Sequence, residues 1–219
     1  MAATDGKRVS AARRGRNRGF SMIEVLVSLL IIQVGLLGLV GTQVVAQQAE
    51  SEAYQRAQAV ILLNDMVERI NANRSYGSCF AFTDPAAGTP YLGVNDAGHY
   101  TTACSGSAMA QQAMDGWDRE LQGSAETNSS NSKIGAMLNA RGCISSFTDT
   151  SNVTGGVTVY VVAVAWQGQN HSFSPTALAA ANPTNTALQQ ASACGTGLYG
   201  SDDGMRRVVW DTVQIANLR

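Results

Sequence analysis

Proline is absent from the first 84 residues of this 219-residue chain, and no Asp, Glu, Lys or Arg occurs from Val25 to Gln48. The first absence leaves nothing to break a helix that runs from Phe20 to about Arg74, where Ser75-Tyr76-Gly77 ends it. The second leaves an apolar run, Val25 to Ala46, interrupted only by Ser28, Gln33, Thr42 and Gln43. Its 22 residues rise roughly 33 Å, close to a hydrocarbon core of about 30 Å. Histidine is also scarce: His99 and His171 are the only two, far apart and both in loop-like contexts. There is no G-x-S-x-G elbow, H-E-x-x-H helix or phosphate-binding P-loop, so no catalytic constellation and no cofactor is expected.

The cysteines Cys79, Cys104, Cys143 and Cys194 show no close C-x-x-C spacing, which argues against zinc. Asp202-Asp203-Gly204 lacks the regularly spaced oxygen ligands of an EF-hand and reads as a turn before the last strand, so no metal site is expected. Basic residues are few beyond the N-terminus. Residues 1–19 take six of the 15 Lys and Arg and one of the 16 Asp and Glu, leaving nine basic and 15 acidic side chains, a net −6. Without a basic stripe to hold phosphates, nucleic acid is excluded as a partner.

What is present is concentrated at the N-terminus. Lys7, Arg8, Arg13, Arg14, Arg16 and Arg18 precede the apolar run and hold the leader in the cytoplasm, so the rest of the chain is exported. A secretory signal would carry its small-residue cleavage site after a shorter apolar stretch. Here Gly19 stands before the run, and a cut between Gly19 and Phe20 would leave the helix on the mature protein. Glu24 then lies at the mouth of an apolar segment, where a carboxylate is costly without a partner. Cleavage would supply one, the Phe20 ammonium, from the same helix turn or from a neighbouring subunit.

Gly19-Phe20-Ser21-Met22-Ile23-Glu24-Val25-Leu26-Val27-Ser28-Leu29 resembles the class III signal of type IV pilins and type II secretion pseudopilins, Gly-Phe-x-x-x-Glu followed by an apolar helix. Gly35-Leu36-Leu37-Gly38-Leu39, with Arg56-Ala57-Gln58-Ala59 and Asp65 to Ile70, is similar to PilV-type minor pilins in particular. The resemblance covers residues 19–75. It implies that prepilin peptidase cleaves between Gly19 and Phe20, that Phe20 is then N-methylated, and that Glu24 meets a neighbour's Phe20 amine during assembly. One departure stands out: where major pilins place a proline within the mature helix, this chain has Gly41.

Beyond the apolar run, Ala46, Ala49, Ala53, Ala57, Val60, Leu63, Val67 and Ile70 recur every three or four residues and are expected to face the protein's own core. Residues 78–106, with Asp84-Pro85 and Thr89-Pro90, read as a disulfide-tied loop. Met109 to Leu121 reads as a short helix, followed by a polar connector, Gly123 to Lys133. Gly142 to Thr148, Val157 to Trp166 and Val208 to Ile215 read as strands of an antiparallel sheet. Val157 to Trp166 is apolar on both faces, so one face is expected on the long helix and the other under loops. Residues 171–200 read as a surface excursion fastened by Cys194. All four cysteines follow the membrane segment, in the exported compartment that allows disulfides. Three pairings are possible, and Cys79–Cys104 with Cys143–Cys194 is favoured because each would close a separate irregular loop.

The expected fold is α+β and pilin-like: a long N-terminal helix, transmembrane then amphipathic, packed on a C-terminal antiparallel sheet. Its expected divisions are a leader (1–19), a transmembrane half-helix (20–46), an amphipathic half (47–75) and a headpiece (76–219). The resemblance implies a minor pilin rather than an enzyme, one that primes pilus polymerisation and supports adhesion and twitching motility. Its partners would be the prepilin peptidase and N-methyltransferase, other minor pilins, the major pilin and a tip adhesin. Before assembly it would span the inner membrane once, headpiece in the periplasm, and afterwards sit in the pilus at its tip. The alternatives are a minor pseudopilin of a type II secretion system and, in another class, a membrane-anchored periplasmic enzyme or binding module.

Overall fold

The structure is a computed structural model that describes residues 19–95, 107–124, 127, 129–130, 137–150, 156–201 and 203–215. The chain divides between Gln47 and Gln48 into two compact units. Helix α1, Met22–Ala72, contributes to both. Glu24 in its first turn and Arg69 in its last complement the helix dipole. In the first unit the polar residues of the apolar run are satisfied within the helix, since Ser28 Oγ donates to the Val25 carbonyl at 2.9 Å and Thr42 Oγ1 to that of Leu39 at 2.8 Å. That local bonding is what lets hydroxyl side chains sit in an otherwise apolar span.

The second unit is built on a four-stranded antiparallel sheet in the order β1 (Leu92–Gly93), β2 (Arg141–Asp149), β3 (Val157–Gln167) and β4 (Arg206–Ile215). Its register pairs Arg141 with Ala165 and Thr148 with Thr158, then Thr158 with Ile215 and Gln167 with Arg206. The three longer strands lie where the sequence places them. Side chains alternate across the central strand β3, and both faces are buried. Tyr160, Val162, Val164 and Trp166 face Ala59, Leu63, Met66 and Ile70 of α1 together with α2, Ala108–Leu121. Val161, Ala163 and Ala165 face Tyr91, Cys143, Ala191, Cys194 and Tyr199.

Helix α2 starts at Ser107, whose side chain accepts from the Ala110 amide, and buries Ala110, Met114, Trp117 and Leu121. Trp117 lies directly over β2 because residue 142 is glycine: a Cβ there would meet the indole ring at 2.3 Å. The indole N–H donates to the Leu62 carbonyl at 2.9 Å, joining α2 to α1.

Three expectations need correction. Helix α1 ends at Ala72, and Ser75-Tyr76-Gly77 belongs to a 3-10 helix, Arg74–Cys79, rather than to a break. The core face of α1 is Gln55, Ala59, Leu63, Met66 and Ile70, whereas Ala46, Ala49, Ala53, Ala57 and Val60 of the expected stripe are exposed. The periodicity was legible but its phase was not. Alanine buries too little surface to fix a face, and Gln55 is drawn inward by a backbone partner, its Oε1 accepting from the Leu138 amide. Residues 171–200 are also no surface excursion. They form α3 (Pro175–Ala180) and α4 (Thr186–Ala193), and α4 covers the second face of β3. A central strand apolar on both sides needs such a cover, and Ala163, Ala165 and Ala191 are small enough for close approach.

Candidate assembly site

Gly19 and Phe20 lie just ahead of α1, with Phe20 84% exposed and open space around Gly19. Ser21 prepares the helix start: its hydroxyl accepts from the Ile23 amide at 3.3 Å and its carbonyl from the Glu24 amide at 3.0 Å. Glu24 thus stands in the first turn, exposed, at the positive end of the helix dipole. Cleavage between Gly19 and Phe20 would create a cation four residues from Glu24. Residues 1–18, all but the last residue of the expected leader (1–19), lie outside the described residues.

Behind Glu24 the helix is long and apolar enough to cross a membrane, with a mean hydropathy of 2.5 over its most apolar window and none of that window buried. Its large apolar side chains are about half exposed or more, Leu37 the most within the run at 73%. A charge-free apolar surface of this extent requires lipid or other apolar helices around it.

In the second unit, α1 presents Ala53, Tyr54, Ala57, Val60 and Ile61 outward, an apolar strip at helical spacing. Its opposite side is anchored by charge. Arg69 binds Asp65 at 2.6 Å, Glu120 at 2.7 Å and the Ala113 carbonyl at 2.8 Å. Burial works against the Arg69 cation, but the two carboxylates outweigh it and raise its pKa. Burial likewise raises the pKa of Glu120, with Arg69 opposing. Nearer the start of the unit, Arg207 of β4 binds Glu52 at 2.6 Å, and Gln169 Nε2 donates to Ser51 Oγ.

Cys143 and Cys194 are joined by the expected disulfide, fastening α4 to β2. Cys79 is disulfide-bonded as well, and Cys104, its expected partner, lies outside the described residues. Asp202 and His99 also lie outside them, while His171 is exposed beside Gly204. Among the described residues no three His, Cys, Asp or Glu side chains cluster as a metal site would require. A cleft of about 500 Å³ between the Pro85–Ala86 turn and helices α3 and α4 is lined by Thr176, Gln189, Ser192, Thr196 and alanines, without an ionisable group. Of the tryptophans, Trp117 and Trp166 are core and Trp210 is partly exposed.

Sequence reasoning missed a buried polar cluster on the α4 side of the sheet. Arg206 is fully buried, binding Asp203 at 2.9 Å and the carbonyls of Ser192 and Cys194 at 2.5 and 2.8 Å. Burial lowers its pKa, with Asp203 opposing. Arg141 lies between the rings of Tyr91 and Tyr199, 5.1 and 4.7 Å from their centroids. Burial pushes the Tyr199 hydroxyl up to about 12. The only sequence signal was the position of each arginine at the first residue of a strand, which ordinarily marks a solvated end.

No curated protein and no solved structure matches the chain. Two family descriptions do: residues 14–40 match the prokaryotic N-terminal methylation motif, and residues 41–115 match the Tt1218-like family, type IV pilin Tt1218. The first match spans Gly19, Phe20 and Glu24, and the second begins inside the apolar run and ends in α2. With a long apolar helix and an α+β unit in which that helix packs on an antiparallel sheet, these matches support a pilin or pseudopilin role for the chain.

Proposed function

We propose that this chain is a minor pilin of the PilV type, processed at Gly19–Phe20, N-methylated at Phe20, and incorporated through α1 into a type IV pilus. The observation that carries the reading is the start of α1: it opens two residues after Phe20 with one carboxylate, Glu24, in its first turn, and continues into an apolar stretch without charge, none of which is buried. Lipid covers that surface before assembly and neighbouring helices cover it afterwards. In the inner membrane the leader is cytoplasmic and the exported unit periplasmic, as the excess of arginine and lysine before the span directs. Glu24 pairs with the Phe20 ammonium of an adjoining subunit, which sets the axial register. The outward strip from Ala53 to Ile61 extends the helix contact beyond the membrane level. The protein works with other minor pilins, the major pilin and a tip adhesin to prime the pilus for adhesion and twitching motility, and performs no catalysis itself.

Mass spectrometry of protein purified from membranes tests this directly. The expected mature chain begins at N-methylated Phe20, and an intact leader would refute the reading. Glu24→Ala should be cleaved normally yet be reduced in sheared filaments, and undiminished incorporation would remove the pairing role. Replacing Gly19 should leave full-length protein in the membrane. Loss of protein secretion rather than of pili on deletion would assign the chain to the pseudopilins.

A further inference from the structure

The sheet ends in an edge whose geometry is specific enough to describe its partner. Among the described residues β4 pairs with β3 alone, so one side of a ten-residue strand has no neighbour. The direction of its peptide groups follows from bonds outside the ladder. The Arg206 amide donates to the Asp203 carbonyl and the Thr212 amide to Asp211 Oδ1, so the even-numbered residues turn their amides away from β3. The paired strand agrees: Gln167, opposite Arg206, donates toward β2, to the Leu138 carbonyl. Val208, Trp210 and Gln214 therefore direct their backbone groups outward, and none of these has a hydrogen-bond partner among the described residues. Trp210, mid-strand, is an exposed large apolar side chain. Asp211 beside it is exposed, and no cation pairs with it among the described residues.

We propose that the outer edge of β4 receives an extended segment from a different subunit of the filament, which pairs with Val208, Trp210 and Gln214 through its backbone. The inference rests on the filament role proposed above. Only another strand offers donors and acceptors at the two-residue repeat of an edge. The side chains narrow the choice further. Trp210 takes an apolar residue, and Asp211 takes a lysine or arginine, because its carboxylate already occupies the Thr212 amide and would repel an acidic segment. A second copy of this chain pairing edge to edge around Trp210 and Asp211 would set the two Asp211 carboxylates opposite or diagonal to each other, which is why a different subunit is assigned.

The test places a photo-crosslinking amino acid at exposed position 214 of the full-length chain in cells that assemble the filament. Adducts are identified by peptide mass, and the N-terminus is read from the same samples. The expected adduct joins position 214 to a peptide of another subunit whose precursor carries the Gly-Phe-x-x-x-Glu motif. Asp211→Lys and Trp210→Ala should each cut its yield by about tenfold while cleavage after Gly19 and the Cys143–Cys194 bond are retained. Yields unchanged in both variants, or adducts only to lipid or to a second copy of this chain, would overturn the inference and leave the filament role standing. An uncleaved leader in the unsubstituted protein would overturn the filament role first and this inference with it.

Discussion

The most exacting prediction concerns Asp203→Asn. The side chain sits on a residue with φ of 57°, a conformation that asparagine adopts as readily as aspartate, so the backbone should be undisturbed. The change removes the only carboxylate among the described residues that binds Arg206, a guanidinium with no exposure. What remains around the cation is the Ser192 and Cys194 carbonyls and the new amide oxygen. Removing one partner of a buried ion pair costs about 3–5 kcal/mol when nothing else holds the survivor. Two carbonyl acceptors reduce that, so about 2–4 kcal/mol is expected. For a unit of this size each kcal/mol moves the midpoint by about 2–4 °C, giving a drop of roughly 4–16 °C. Thermal unfolding of the full-length protein in detergent, followed by near-ultraviolet circular dichroism, measures it. A loss under about 1 kcal/mol would refute the claim that this pair secures the turn before β4.

Other expectations follow from the same unit. Cys143→Ser with Cys194→Ser opens a link across 51 residues, and the loop-entropy relation puts the loss near 4 kcal/mol, read as an earlier urea midpoint. Tyr199 should be among the last tyrosines to ionise, since burial pushes its folded pKa up to about 12 from the ordinary 10. A raised folded pKa means its contribution is complete below about pH 10 and is lost as pH climbs toward 12, where the unfolded chain ionises first. Absorbance at 295 nm should therefore show a late tyrosine step that coincides with unfolding, and complete titration near pH 10 would contradict its burial. Met66→Ala, at the fully buried centre of the α1 face, should cost about 2–5 kcal/mol, whereas Ala57→Ser on the exposed strip should change stability by less than about 0.5 kcal/mol.

The readable parts of this fold were those with strong local signals. Val157 to Trp166 is a β-branched, two-sided apolar run and became β3 within one residue. Met109 to Leu121 became α2, its cap at Ser107. The motif at Gly19 to Glu24 was legible because a charge at a fixed offset from a small residue and an apolar run is rare by chance. What escaped depended on burial, which the local pattern does not carry. Alanines could not phase α1, because Gln55 is turned inward by the amide of residue 138 and Met66 is buried in a core that includes α2 and the sheet. Residues 171–200 looked solvated because Ala, Asn, Pro and Gly also build loops, and only the uncovered face of β3 called for a second layer. Arg141 and Arg206 reached the interior through acceptors supplied by Asn139, Ser192, Cys194 and Asp203, and no local pattern announces those.

The bonds from α1 to α2 have a mechanical meaning. A pull along the helix axis passes from α1 to α2 through the Trp117 indole held by the Leu62 carbonyl and through the Arg69 guanidinium bound to Glu120 and the Ala113 carbonyl. These links span the seam between the rod and its neighbour, so tension must shear several of them together rather than peel them one at a time. With the indole seated over Gly142, the bond from the Leu62 carbonyl ties the rod to a ring that is itself held against β2.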